Sequence, residues 1–396
     1  MILYNFNNIE LHQANSLDLP IENETIDCVV TSPPYWGLRD YGTEKWVGGV
    51  NDCDHLQVND VRKNVKQTTS VGTTKLGFKR TCQKCGAKRI DAQIGLEETP
   101  EEYVKTMVNV FKEVWRVLKP TGTVWLNLGD SYSSGNRTST TNDTIRGGSD
   151  YGVTRPKPNK NIKPKDLIGI PWRVAFALQS DGWYLRSDII WHKPNPMPES
   201  VKDRPTKSHE YIFLLTKSPK YYYDSSAIKE EAVGERWSKN KPINVDNTKD
   251  KNNQFKGLTR PRKMLFKYRN KRDVWSVTTK PYKEAHFATF PEKLIEPCIL
   301  AGCPEKICIE CETPYIRQTK TEQNPTTEET SIFKKQCDCK TNETKSGIVL
   351  DPFVGAGTTM IVAQKHRRKA IGIDLKKEYL EIAIKRIKND NQPLLI

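Results

Sequence analysis

Asp351-Pro352-Phe353-Val354-Gly355-Ala356-Gly357-Thr358-Thr359 is the stretch that decides the fold. An apolar run, Ile348 to Leu350, leads into it as a strand, and Thr359 to Lys365 leads out of it as a helix. Glycines at a strand-to-helix turn let the backbone come close to a ligand at the carboxyl end of the strand. The next strand, Ala370 to Ile373, is followed at once by Asp374, fifteen residues after Thr359. A carboxylate there can accept hydrogen bonds from both hydroxyls of a ribose. A phosphate-binding loop would need a lysine after the glycines, and a dinucleotide loop would read G-x-G-x-x-G; this run reads G-A-G-T-T. A tight turn that holds no ligand is the plain alternative. Lys377 to Lys388 follows as a last helix.

Working outward, the same alternation recurs near the other end of the chain. Thr25 to Val30 (TIDCVV) is a short apolar strand stopped at Thr31-Ser32-Pro33-Pro34-Tyr35, because proline cannot continue a ladder. Thr99 as N-cap, Pro100 at the first position and Glu102 three residues on open a helix. Its apolar residues Val104, Met107, Val108, Phe111, Val114, Trp115 and Leu118 recur at helical spacing, and Lys119 to Gly122 stops it. Thr123 to Leu128 is a strand, Pro171 to Gln179 a helix, Leu185 to His192 a strand. Tyr211 to Thr216 is another, answered by Tyr221-Tyr222-Tyr223, and Pro291 to Ile295 begins a further helix. Strands separated by helices imply a doubly wound α/β fold with a mostly parallel sheet.

The Ser32–Tyr35 corner carries its own chemistry. Two prolines fix the backbone and leave carbonyls without competing N–H groups. An exocyclic amine has hydrogens to donate and needs acceptors, which the Ser32 hydroxyl and the Pro33 carbonyl offer; Pro34 rigidifies the turn and Tyr35 offers a face for a flipped base. Orientation of the amine lone pair then suffices for in-line attack on a sulfonium methyl. The bland reading of the corner is a proline turn that closes a strand.

The chain has 396 residues, 36% hydrophobic and 28% charged, with a net charge of +15. That excess of cations favours a polyanionic partner. Between Ser225 and Lys283, sixteen Lys and Arg stand against six Asp and Glu, interleaved with Trp237, Phe255, Phe266, Tyr268 and Trp275. Phosphate contact plus stacking is expected of this basic region, with a solvated linker as the alternative. The polar loop Asp130 to Lys163 is expected to close over the same partner. No run of 18 or more apolar residues and no signal pattern is present, so no membrane association and a cytoplasmic location are expected.

Ten cysteines in such a chain point to thiols and metal ligands rather than disulfides. Cys308-x2-Cys311 and Cys337-x-Cys339 lie in a polar insertion with little core, and four thiolates in paired knuckles match tetrahedral zinc. Cys53-x-His55 with Cys82-x2-Cys85 forms a similar set in an earlier polar stretch. Cys303 is an alternate ligand, and Cys28 and Cys298 sit on apolar stretches as core residues. Both metals would be structural.

Together the two glycine- and proline-based motifs, in this order, resemble the beta arrangement of amino-methylating DNA methyltransferases. In that family S/D-P-P-Y comes first, the F-x-G-x-G motif last, and target recognition lies between. The resemblance spans nearly the whole chain and includes Trp191 to Ser200, Ser208-His209-Glu210-Tyr211 and Phe287 to Pro291. It implies S-adenosylmethionine as cofactor and the sheet of the methyltransferases that use it. Contacts to the cofactor would come from Asp351, Pro352, Phe353, Gly355, Gly357, Thr358, Asp374, Asn15, Phe287 and Pro291. It implies direct transfer without a covalent cysteine adduct, in agreement with the lack of a Pro-Cys nucleophile. Serine before Pro-Pro-Tyr resembles the cytosine-N4 branch. Adenine-N6 methylation, or a zinc-containing DNA-binding protein without catalysis, are the competing readings. Where family members often carry Gly-Asp, this chain has Ala14-Asn15, and Asn15 can still offer a side-chain amide. The partner is double-stranded DNA, with a cognate restriction endonuclease in the same system as a further candidate. The expected organisation is 1–224 as the catalytic half with a zinc-type insertion at about 51–93, 225–283 as the recognition region, and 284–396 as the cofactor half with an insertion at about 303–346.

Overall fold

The computed structural model describes residues 2–6, 8–37, 45–50, 52–53, 81–82, 84–90, 93–133, 162–231, 268–279, 289–320 and 330–390. Its core is a nine-stranded sheet. The strands are β1 (Ile2–Phe6), β2 (Ile9–Gln13), β3 (Ile26–Thr31), β6 (Leu118–Leu128), β7 (Tyr184–His192), β8 (His209–Thr216), β11 (Val274–Ser276), β16 (Ile348–Asp351) and β17 (Lys369–Asp374). The short strands between them in sequence, β4 (Lys45–Val47), β5 (Lys88–Ile90), β9 (Glu230–Glu231), β10 (Tyr268–Arg269) and β12 to β15 (307–345), form small two-stranded ribbons. The main sheet runs in the order β1-β2-β17-β16-β3-β6-β8-β7-β11. From β2 to β6 every neighbouring pair is parallel; β8 is antiparallel to both β6 and β7. The sheet is therefore mostly parallel, as expected, and its first and last sequence segments meet at its centre through β3 and β16.

Side chains alternate across the strands, as a pleat requires. In β8, Ile212 and Leu214 enter one apolar cluster, whereas Phe213 and Leu215 enter the other. Helices α1 (Pro100–Val117) and α2 (Ile170–Ser180) cover the second face through Met107, Phe111, Val114, Val174 and Leu178. Helices α3 (Glu292–Gly302), α4 (Thr358–Lys365) and α5 (Lys377–Asp390) cover the first through Leu294, Cys298, Met360, Ile361, Leu380 and Ile387. Truncating one such residue, Phe111→Ala for example, costs about 3–5 kcal/mol by analogy with other cores.

Helix α1 starts where its cap residues place it. The Thr99 side chain accepts from the Glu102 N–H at 3.1 Å, and Pro100 occupies the first turn. The Glu102 carboxylate accepts from the Glu98 N–H rather than from the cap residue itself.

Four expectations are corrected. Helix α1 does end before Lys119, at Val117, but the strand begins at Leu118 rather than Thr123: β6 takes in Lys119 to Gly122, with an irregularity between the Ile26–Leu118 and Cys28–Thr123 pairs. Tyr221 to Tyr223 forms no strand: the Tyr222 N–H donates to Thr121 O, and Tyr223 stacks on Trp125 at 6.3 Å. Trp275 is not a stacking platform on a basic surface. It sits on β11, 6% exposed, inside the apolar cluster, with its indole N–H donating to Arg272 O. Cys303 is not an alternate metal ligand: it is not among the grouped thiols and packs in the same core, as Cys28 and Cys298 do. Trp237, Phe255, Phe266, His55, Phe287 and most of the Asp130 to Lys163 loop lie outside the described residues. Among those described, no helix is long and apolar enough to cross a membrane.

Candidate active site

The carboxyl ends of β3 and β16 lie side by side, because Val29 pairs with Leu350. The chain leaves β3 as Ser32-Pro33-Pro34-Tyr35 and leaves β16 as the glycine turn. The two corners are bolted together by Asp351. Its Oδ1 accepts from the Thr31 hydroxyl at 2.7 Å and from the Phe353 N–H at 3.0 Å, and its Oδ2 accepts from the Thr359 hydroxyl at 2.7 Å. Those three donors favour the ionised carboxyl, yet Asp351 is only 1% exposed, and burial wins, pushing its pKa up to about 6.

A cavity opens between the corners. Ser32 and Pro34 line it from one side; Asp351, Phe353, Val354, Gly355, Ala356 and Thr358 line it from the other. Asp374 at the end of β17, Asn15 and Ser16 after β2, and Lys376 and Tyr379 at the start of α5 complete that side. Gln93, Ile94, Thr289 and Phe290 form the rest of the wall.

The glycine turn is shaped for a ligand. Gly355 has φ +47°, and a Cβ there would meet only Phe353 O at 3.9 Å, so the space before it is open. Its N–H donates to Asp374 Oδ2 at 3.1 Å. The other oxygen of Asp374 accepts from the Lys376 N–H at 2.9 Å, and burial pushes this carboxyl too up to about 6. Gly357 serves packing instead. It caps α4 with φ +78°, and a Cβ would press on Ala383 Cβ at 2.9 Å. The Ser16 hydroxyl holds Pro352 O at 2.7 Å, and Arg386 Nη1 holds Ala356 O at 2.6 Å.

On the other corner, Pro34 O accepts from the Tyr103 hydroxyl of α1 at 2.9 Å. The Tyr35 hydroxyl donates toward Glu210 Oε2 at 2.8 Å and Asn127 Oδ1 at 3.0 Å, and lies 3.4 Å from the Ser32 hydroxyl. Burial, with the Glu210 carboxylate beside it, holds the Tyr35 hydroxyl well above the usual tyrosine range. Its ring packs against Gly129, where a Cβ would come within 2.5 Å of Cε2. Glu210 in turn is ion-paired with Lys193.

Of the residues singled out from sequence, Ser32, Pro34, Asp351, Phe353, Gly355, Thr358, Asp374 and Asn15 share this cavity. Pro33, Tyr35, Pro352, Gly357 and Pro291 are not among the residues that line it. Pro291 caps α3, and its neighbours Thr289 and Phe290 face the cavity. Sequence reasoning assigned no role to Ser16, Asn127, Lys193, Glu210, Lys376 or Tyr379. A signal existed for Asn127, a polar residue inside the apolar run TVWLNL. Glu210 and Lys193 stood in quoted motifs, but nothing in one sequence says that they meet.

The family model for N6/N4 DNA methylases matches residues 26–385. The chain belongs to the DNA methylase family. Its relatives include the type II methyltransferase M.Cfr9I of Citrobacter freundii, 39% identical over 93% of this chain and 83% of that protein. M.SmaI of Serratia marcescens is 38% identical over 93% of this chain and 86% of its own length. M.XycI of Xanthomonas campestris pv. cyanopsidis is 38% identical over 94% and 84%.

Away from the cavity, this DNA methylase carries two groups of thiols. The sulfurs of Cys308, Cys311, Cys337 and Cys339 all lie within 4.8 Å of one another. A zinc ion with bonds of about 2.3 Å to four thiolates sets sulfurs roughly 3.8 Å apart, so the set fits such an ion. Beside Cys311, Glu312 reaches Lys119 at 3.2 Å, and Lys119 reaches Asp27 of β3 at 3.0 Å, which ties the knuckle to the base of the sheet. Cys53, Cys82 and Cys85 form the second group. No disulfide joins any of the ten cysteines.

Proposed function

We propose that this DNA methylase transfers a methyl group from S-adenosylmethionine to the exocyclic N4 amino group of cytosine at specific sites in duplex DNA. The observation that carries the reading is the shared cavity, lined by Ser32 on one side and by Gly355 and Asp374 on the other. When bound, the cofactor supplies an electrophilic methyl on a sulfonium. Asp374 would accept the ribose hydroxyls, with Phe353, Leu375 and Tyr379 offering apolar contact and Asn15 and Lys376 polar contact. Ser32 Oγ and the Pro33 carbonyl would accept the two amine hydrogens and aim the nitrogen lone pair. The Tyr35 ring, fixed through its hydroxyl, would stack on the extruded base. Serine rather than aspartate before Pro-Pro-Tyr supports cytosine over adenine as the target.

The cysteine groups are read as two structural zinc sites: Cys308, Cys311, Cys337 and Cys339 in one, and Cys53, Cys82 and Cys85 with His55 in the other. Type II relatives support duplex DNA as substrate and a companion endonuclease as partner. Ser32→Ala and Tyr35→Ala test the catalytic assignment. Each is expected to reduce methyl transfer at least about tenfold while calorimetric cofactor binding survives. Wild-type rates in both variants would remove it.

A further inference from the structure

The hydroxyls of Ser32 and Tyr35 form a chain whose direction is set from its far end. Two acceptors face the Tyr35 hydroxyl: Glu210 Oε2 at 2.8 Å and Asn127 Oδ1 at 3.0 Å. Asn127 keeps that orientation because its Nδ2 donates to Tyr211 O at 3.0 Å and to Glu210 Oε2 at 3.3 Å. Glu210 is ion-paired with Lys193, and a carboxylate in such a pair offers only acceptors. Lys193 is itself fixed: its N–H donates to Ser208 O at 2.8 Å, and its ammonium lies 4.2 Å from the Trp191 ring centroid. The single Tyr35 proton must therefore point toward Glu210 and Asn127. The Tyr35 oxygen is left to accept, and the Ser32 hydroxyl, 3.4 Å away, donates to it. That contact is long, as such contacts often are before substrate binds. With its proton turned inward, Ser32 presents only lone pairs to the cavity.

We propose that Glu210, held by Lys193, is a positioning residue that makes Ser32 an obligate acceptor through Tyr35 and takes up the proton that leaves the target amine. This rests on the reading of Ser32 as the amine's acceptor. As the carbon–nitrogen bond forms, the methyl–sulfur bond breaks and its electron pair stays on sulfur. The amine nitrogen, now positive, gives one proton to Ser32 Oγ. The Ser32 proton passes to the Tyr35 oxygen, and the Tyr35 proton passes to Glu210, so one carboxylate is neutralised and both hydroxyls are restored. The same polarity selects the substrate class: a base that presents an amine finds acceptors, whereas a base that presents a carbonyl meets lone pairs.

Glu210→Gln keeps the shape and removes the sink, and its amide N–H₂ can donate to Tyr35 and reverse the chain. The expected result is a kcat lowered about 100-fold, with calorimetric cofactor Kd and the KM for DNA within about threefold of wild type. Glu210→Asp is expected to recover part of the loss. Tyr35→Phe keeps the ring and cuts the chain; combined with Glu210→Gln it is expected to cost no more than the larger single loss, because both break one path. The proposal is overturned if Glu210→Gln turns over within threefold of wild type, or if the two losses multiply. Should Glu210→Gln fail to fold, Tyr35→Phe and Glu210→Asp decide: wild-type kcat in both overturns it. If wild-type protein itself labels no DNA, the functional reading fails rather than this inference.

Discussion

Thr31 and Asp351, 320 positions apart in sequence, share a buried hydrogen bond of 2.7 Å that joins the proline corner to the glycine turn. Neither residue is free to relax, since Thr31 is fully buried and the second oxygen of Asp351 is taken by Thr359.

Thr31→Val keeps the shape and removes one donor from a buried carboxylate. Equilibrium unfolding in urea should show a loss of about 2 kcal/mol. Cofactor binding should weaken as well, because Asp351 also fixes the Phe353 N–H. An unchanged midpoint would mean that the bond does not hold the two corners.

Asp351 and Asp374 both titrate near 6, above the ordinary 3.8, because burial disfavours their charge. A carboxyl raised on folding binds protons more tightly in the folded chain. Its contribution to stability is complete below pH 3.8 and is lost as pH rises through about 6. With Asp374 as the proposed acceptor of the ribose hydroxyls, cofactor affinity would run the opposite way, since that role needs the ionised carboxylate. Titration calorimetry should find binding about tenfold weaker at pH 5 than at pH 7.5, and Asp374→Asn should flatten that dependence.

Gly357→Ala places a Cβ in the left-handed region and 2.9 Å from Ala383. The expected cost is about 2 kcal/mol in chemical unfolding, read together with a weaker cofactor complex because the turn must shift. Gly355→Ala meets no such neighbour. It should cost less stability while intruding on the cavity.

These contrasts show what one sequence could and could not tell. The β16–α4–β17–α5 segment was legible nearly to the residue, because apolar runs, glycines and a closing Asp374 punctuate it. The β1–β2 hairpin was not: ILYNF and IELHQ are short and mixed, β2 is buried by pairing with β17, and β1 is a largely exposed edge strand held by β2 alone. Trp275 read as an exposed aromatic because its neighbours are basic, whereas its strand is three residues long and is defined by β7 alone. At the site, Ser32, Gly355 and Asp374 were legible through local motifs. The Tyr35–Asn127–Glu210–Lys193 network was not, because its members sit on four separate segments and meet only through the β3–β6–β8–β7 pairing.

Elemental analysis of the purified chain should find roughly two zinc ions per molecule. Cys311→Ser should remove one of them and lower thermal stability, since a metal bound there would supply folding energy to an insertion with little core. The Cys308 group can be read separately from the Cys53 group by that variant. A zinc-free protein with unchanged stability would cancel both sites and leave the cavity untouched.

On the proposed reading the two corners form one methyl-transfer site for a cytosine amine. Purified protein incubated with methyl-labelled S-adenosylmethionine and mixed-sequence duplex DNA, followed by digestion and chromatography of the nucleosides, tests it most directly. The label is expected in N4-methylcytosine and is expected to fall with Ser32→Ala. Label in N6-methyladenine would contradict the target, and DNA that stays unlabelled with folded, cofactor-binding protein would contradict the site itself.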